Sequence, residues 1–160
     1  MRNTYSGGVV EASSVERPAE AVRPATRDDL VALLALDPLA QTDAGRRSLL
    51  SNSVDAGECL VCEDEGQVAG FIVVKPCHFF GRDFIELLWV APRVRRTGVG
   101  RSLMEAATTR REGSAVVFTS TNRSNEAMRA LLEAGGWRFS GQLDGLDEGD
   151  PELVYYFRRT

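Results

Sequence analysis

The apolar positions of the chain fall into two periods, and the switches between them mark out its elements. In EAVRPATRDDLVALLALD a short strand ends at Arg23 and Pro24, and a helix follows with Leu30, Leu33 and Leu34 as its buried stripe. Thr26 stands where a cap belongs, and Asp29 completes a capping-box pattern. DAGRRSLLSNSVDAG predicts a second helix ending near Gly57. The apolar run Cys59 to Cys62 and the run Val68 to Val74 form a hairpin through the acidic, glycine-containing turn EDEGQ. DFIELLWVAP is the next strand, rich in β-formers and stopped by Pro92. KPCHFFGRD, just before it, reads as a strand-end loop.

The period changes again at residue 98. Residues 98 to 112 predict a helix with Val99, Leu103, Ala106 and Ala107 on one face. SAVVFTST is short and almost wholly apolar, as in a sheet covered on both faces. Asn125 to Ala134 predict a helix with Met128, Leu131 and Leu132 inward, ended by Gly135 and Gly136. WRFSGQL and ELVYYFRR are two last strands around the acidic loop DGLDEGDP. The order is β-α-α-β-β-β-α-β-α-β-β, an α/β fold with a mixed sheet and helices on both sides. The helical crossover between IELLWV and AVVFTS makes that strand pair parallel. Residues 1 to 20 lack sustained periodicity and read as a flexible tail, leaving one folded domain over residues 21 to 160.

Composition narrows the class. With 43% hydrophobic and 26% charged residues, a 160-residue chain buries a core without disulfides or metals. A net charge of -4 argues against a surface built for duplex nucleic acid, so a local cluster of arginines stands out. The three cysteines form no disulfide framework, and the CLVC pair sits in a strand with no second ligand pair, so no metal or redox role is expected. No run of 18 apolar residues and no signal-peptide core is present, so a cytoplasmic protein with no membrane association is expected.

The cluster is VAPRVRRTGVGRSLMEAA, with Arg93, Arg95 and Arg96 ahead of Gly98 and Gly100. A dinucleotide fingerprint needs a third glycine where Leu103 stands, and a nucleoside-triphosphate loop needs a Gly-Lys-Ser/Thr end that is absent. A shorter pyrophosphate cradle fits: glycines let the backbone approach, the helix start presents free N–H groups, and arginines add charge.

RRTGVG, with Arg95, Gly98 and Gly100 at its fixed positions, resembles motif A of the Gcn5-related N-acetyltransferase (GNAT) superfamily. VRPATRDDLVALLAL is similar to the family's first strand and helix, and SNEAMRALLEAGGWRFSG to its motif-B helix. The resemblance spans roughly residues 21 to 159. It implies a mostly antiparallel central sheet, a bulge in the strand before the loop, and a splayed parallel strand pair that takes the pantetheine arm. It also implies acetyl-CoA or another acyl-CoA as co-substrate, without a metal. Main-chain groups of Leu88 and Val90 would bond the arm, and an N–H near Val90 would polarise the thioester carbonyl. Arg95 belongs to the motif, backbone N–H groups of Arg96, Thr97, Gly98, Val99, Gly100 and Arg101 would hold the pyrophosphate, and Asn125 would reach the cofactor.

The implied reaction is attack of a neutral primary amine on the thioester, by direct transfer, on a small molecule or peptide. Glu86, a charge within the apolar strand FIELLWV, is the candidate general base. Leu132 stands where many members carry a tyrosine acid. Water is one replacement, and Tyr156 or Tyr155 of the last strand another. Phe79 and Phe80 are candidate acceptor contacts, and His78, the one histidine, is read as structural. Three other readings stay open: a GNAT-fold transferase with an aminoacyl-tRNA or carrier-protein donor, a non-catalytic CoA-binding module, and a nucleotide-binding switch protein, which the missing lysine disfavours. The terminal strands offer edges for a homodimer.

Overall fold

Two sheet faces, each with its own helices, are what the periodicities build. In a computed structural model residues 22–109 and 113–160 are described. The expected tail, 1 to 20, and the last turn of the helix expected over 98 to 112 lie outside them. The chain runs β1 (Val22–Pro24), α1 (Leu30–Leu36), α2 (Ala44–Asp55), β2 (Cys59–Asp64), β3 (Gln67–Phe79) and β4 (Arg82–Val90). It continues with α3 (Val99–Thr109), β5 (Val116–Asn122), α4 (Glu126–Ala134), β6 (Arg138–Leu143) and β7 (Glu152–Arg158). Among the described residues one seven-stranded sheet has the order β1-β2-β3-β4-β5-β7-β6. Only β4 and β5 run parallel; the other neighbours are antiparallel. No helix among the described residues is long and apolar enough to cross a membrane.

On one face Ile72, Val74, Ile85 and Val117 meet Val99, Leu103 and Ala107 of α3 and Leu132 of α4. On the other, Val61, Phe71 and Val73 meet Leu33 of α1 and Leu50 and Val54 of α2. Burying these side chains stabilises each face by about 1.5–3 kcal/mol per large aliphatic residue. α3 sits close because β3 has no side chain at Gly70. A Cβ there would lie 2.8 Å from the Trp89 carbonyl and 3.0 Å from a Val99 methyl.

Both hairpins turn on two left-handed residues, which suits the right-handed strand twist. Glu65 (φ 51°) and Gly66 (φ 75°) join β2 to β3, as the sequence predicts. Phe80 (φ 48°) and Gly81 (φ 72°) join β3 to β4. The second turn corrects the reading of KPCHFFGRD as a loop: β3 runs on through His78 to Phe79. A phenylalanine at positive φ is not a local turn signal, and cross-strand pairing supplied the missing information.

The splay between β4 and β5 follows from short pairing. Only Asp83, Phe84 and Ile85 pair with Val117, Phe118 and Thr119. The Thr119 hydroxyl donates to the Ile85 carbonyl at 3.1 Å, closing the last rung. The paired end is clamped by Arg159, whose guanidinium meets the buried Asp83 carboxylate at 3.0 Å and the Thr108 and Ser114 carbonyls. Beyond Ile85 the strands part. On its other side β4 is bulged: Val73 pairs with Leu87 and Val74 with Ile85, which leaves Glu86 as the extra residue.

At the edge, Arg23 bridges Asp29 and Glu63, tying β1 to the start of α1 and to β2. The Arg23 guanidinium and the Thr26 N–H draw the Asp29 carboxyl down to about 2 from its ordinary 3.8. A lowered folded value means stability that is complete above the ordinary value and is lost as pH falls toward the folded one. Asp29→Asn is expected to cost about 1–2 kcal/mol at neutral pH, a figure discounted for solvent screening at Arg23. That discount reflects an arginine side chain 38% exposed. Urea unfolding of both proteins at neutral pH and near pH 2 checks this. The gap should close in acid, and a gap of equal size at both would rule the ion pair out.

Candidate active site

The loop after β4 is shaped by two left-handed residues. Pro92–Val94 makes a single tight turn, and the Thr97 hydroxyl donates back to the Val94 carbonyl at 2.6 Å. Arg96 (φ 62°) and Gly98 (φ 95°) then swing the chain into α3. The Ser102 N–H makes the first helical bond, to the Gly98 carbonyl at 2.9 Å. The N–H groups of Gly98, Val99 and Gly100 therefore lead the helix with no intrahelical acceptor, at its positive end. The arginines divide: Arg93 pairs with Asp64 and Arg101 with Glu105, while Arg95 and Arg96 stay exposed beside the helix start. Arg95 Nε lies 3.4 Å from the Val90 carbonyl.

The splayed strands frame a cleft of about 600 Å³. The Ala91 N–H donates to the Ala69 carbonyl at 2.8 Å, so by ladder alternation Trp89 and Leu87 turn their main chain toward β3. Leu88 and Val90 then turn theirs toward β5, across a gap with no pairing beyond Ile85. The cleft passes through the sheet. Asn125 and Met128 line it on the α4 side; Asp37, Leu39 and Arg46 line it on the side of α1 and α2. Glu86 lies between. Its Oε2 is buried without a hydrogen-bond partner, and so is the indole N–H of Trp89 in the same wall. Buried polar groups are rarely orphaned, and both atoms lie just beneath the cleft surface, closed off from solvent.

A family model for the acetyltransferase (GNAT) family matches residues 25–137. The chain belongs to the GNAT family. A GNAT acetyltransferase from Bacillus cereus is 32% identical, covers 87% of this chain and 96% of its own, and superposes with a TM-score of 0.80. A ribosomal-protein-alanine N-acetyltransferase from Brucella melitensis is 27% identical over 86% of this chain and 98% of its own, with a TM-score of 0.67. A putative acetyltransferase from Salmonella typhimurium, solved with its cofactor acetyl-CoA, shares the fold at 20% identity, over 87% and 93% of the two chains, with a TM-score of 0.71. No curated protein matches the chain.

Within this GNAT fold the expected site residues separate into those the cleft collects and those it does not. Glu86, Leu88 and Asn125 line it; Val90 and the 95–101 loop, which follows directly on β4, do not. The Asn125 side-chain oxygen Oδ1 caps α4 by accepting from the Met128 N–H at 3.2 Å. The acidic loop is exposed, and two of its carboxylates are engaged by the chain before α4. Asp150 accepts from the Ser124 N–H and hydroxyl, which hold its carboxyl below the usual range, and Asp147 accepts from Asn122 at 2.8 Å. The loop thus fixes the β5–α4 connection.

Tyr156 lies outside the cleft lining, 6.1 Å from the Phe118 ring, with Arg158 over its face. Tyr155 is buried. Phe79 packs between Phe84 and Phe118, and Phe80 is 91% exposed at the hairpin tip; neither lines the cleft. Leu132 is fully buried in the core. Cys59 and Cys62 belong to the cores on opposite sheet faces, and burial pushes the Cys59 thiol up to about 12. Such a thiol stays protonated and inert. Sequence reading missed Asp37, Arg46 and Trp89. Their signal is weak: one carboxylate before a proline, one of two adjacent arginines, and a tryptophan in an apolar strand.

Proposed function

We propose that this chain is an N-acyltransferase that moves an acyl group, acetyl first of all, from acyl-CoA to a primary amine of a small molecule or peptide by direct transfer. The observation that carries the reading is the combination of N–H groups at the start of α3 without an intrahelical acceptor and a β4 edge at Leu88 without a strand partner, on the strand that also carries Glu86. These groups fit a diphosphate, an amide-bearing arm and a reacting amine in that order. An acyl-CoA bound there supplies an electrophilic thioester carbonyl and a thiolate leaving group.

Each residue has a stated part. The N–H groups of Gly98, Val99 and Gly100 hold the diphosphate, with Arg95 and Arg96 adding charge; the Thr97 N–H, expected among them, already donates to the Val94 carbonyl at 3.4 Å. Leu88 and Val90 fix the arm, and an N–H near Val90 steadies charge growing on the carbonyl oxygen. Asn125 borders the arm from α4. Glu86 accepts the proton of the amine, directly or through water, as the C–N bond forms and the C–S bond breaks. Water protonates the departing thiolate, since Leu132 offers no hydroxyl and Tyr156 is outside the cleft. The acetyl-CoA held by the Salmonella protein supports the choice of donor.

Calorimetry with CoA and acetyl-CoA, followed by mass spectrometry of acetyl transfer to a panel of primary amines, tests the reading. Binding with transfer is the expected result. Absence of heat with either cofactor ends the reading, and binding without transfer to any amine reduces it to a CoA-binding module.

A further inference from the structure

We infer that the acceptor carries a carboxylate beside its amine, as a free amino acid does, and that Arg46 receives that carboxylate in the cleft mouth between α1 and α2. This deepens the acyltransferase reading and rests on it. Of the four charged residues lining the cleft, Asp37, Glu86, Glu152 and Arg46, Arg46 is the single cation. It is held there by design of the local fold. Asp37 is 4% exposed; one carboxylate oxygen accepts from the Leu39 N–H at 3.0 Å, and the other faces Arg46 Nε at 3.5 Å.

The Asp37 contact occupies the Nε edge of the guanidinium. Its two Nη groups have no acceptor among the described residues, although three-quarters of the side chain is removed from solvent. Arg46 lines the cleft, and the Nη groups are the part of it that Asp37 does not engage. Guanidinium Nη groups match the two oxygens of a carboxylate. Trp89, packed against the same core as α2, stands in the same wall, its indole N–H buried and without an acceptor among the described residues. Glu86 Oε2 is the complementary orphan acceptor. The cleft therefore offers a guanidinium for an anion and a carboxylate for an amine, the two ends of a zwitterion. Asp37 is already satisfied by Leu39 and Arg46, and Glu152 stands on β7 opposite Asn122, on the far side of β5, which leaves Glu86 of β4 for the amine.

The test uses matched sets: several amino acids of differing side chain, their primary amides, and the corresponding decarboxylated amines. Acetylation rates are compared at equal concentration of free-base amine, so that differing amine basicity cancels. The intact protein should prefer the acids by about 10- to 100-fold in kcat/KM, the range set by one charge-assisted pair. Arg46→Gln should bring acid and amide to parity, and Arg46→Lys should restore part of the preference. CoA affinity, measured by calorimetry, should be unchanged in both variants, which also reports that they fold. Amides or simple amines used as well as the acids by the intact protein would overturn the inference, as would an acid preference that survives Arg46→Gln. If CoA binds and no amine is acetylated, calorimetry of amino acids into the CoA-saturated protein decides. Heat lost in Arg46→Gln supports the inference, and no heat overturns it. Failure of CoA itself to bind removes the acyltransferase reading and this inference with it.

Discussion

Gly98→Glu is expected to weaken CoA binding about a thousandfold while leaving the protein folded. A Cβ at Gly98 meets nothing within 4 Å, so bulk does not clash with the protein itself. Two costs remain. The backbone at φ 95° is strained for any L side chain, and the carboxylate sits beside the N–H groups proposed for the diphosphate. A charge about 4 Å from a phosphate costs about 4 kcal/mol at an effective dielectric near 20, which is about three decades in affinity. Gly98→Ala separates the two, because it keeps the strain and omits the charge. Its loss of affinity should be much smaller. Calorimetry with CoA and circular dichroism on both variants make the comparison. Equal affinity in Gly98→Glu and the parent would remove the loop from the cofactor site.

Glu86→Gln is expected to lower kcat about a thousandfold at neutral pH with CoA affinity unchanged. The substitution keeps shape and removes the ability to take a proton, and positioned bases contribute about 10²- to 10⁴-fold. Glutamine also fits the bulge, because the extra residue of β4 is defined by its main chain. The deficit should shrink as pH rises toward the ordinary range of the acceptor amine, where solvent delivers free base without help. That pH dependence distinguishes a lost base from a distorted cleft, whose deficit would persist at all pH values. Turnover unchanged at neutral pH would sink the role of Glu86.

Much of this was legible along the chain because the signals are local. Leu30, Leu33 and Leu34 face the second core as their spacing requires. Val99, Leu103, Ala106 and Ala107 are all buried on α3. Asn125 caps α4, and Glu65 with Gly66 makes the first turn. The 95–101 loop could be read because glycine at positive φ and a helix start are properties of a few neighbouring residues. The extent of β3 could not, since Gly81 marks a turn but nothing local says that the strand runs on through His78 to Phe79.

The sequence by itself determined the order of elements, the two buried faces, the family and the glycine-containing loop that opens α3, because periodicity and glycine spacing are written within a dozen residues. Only the tertiary structure decided where the parallel pair ends, at Ile85 and Thr119, and that Glu86 is the bulged residue. It alone set Arg46 on Asp37 at the cleft that also holds the orphaned Trp89 and Glu86 atoms. The physical reason is register: which residue bulges, and which side chains meet across a gap, depends on partners tens of positions away in the chain.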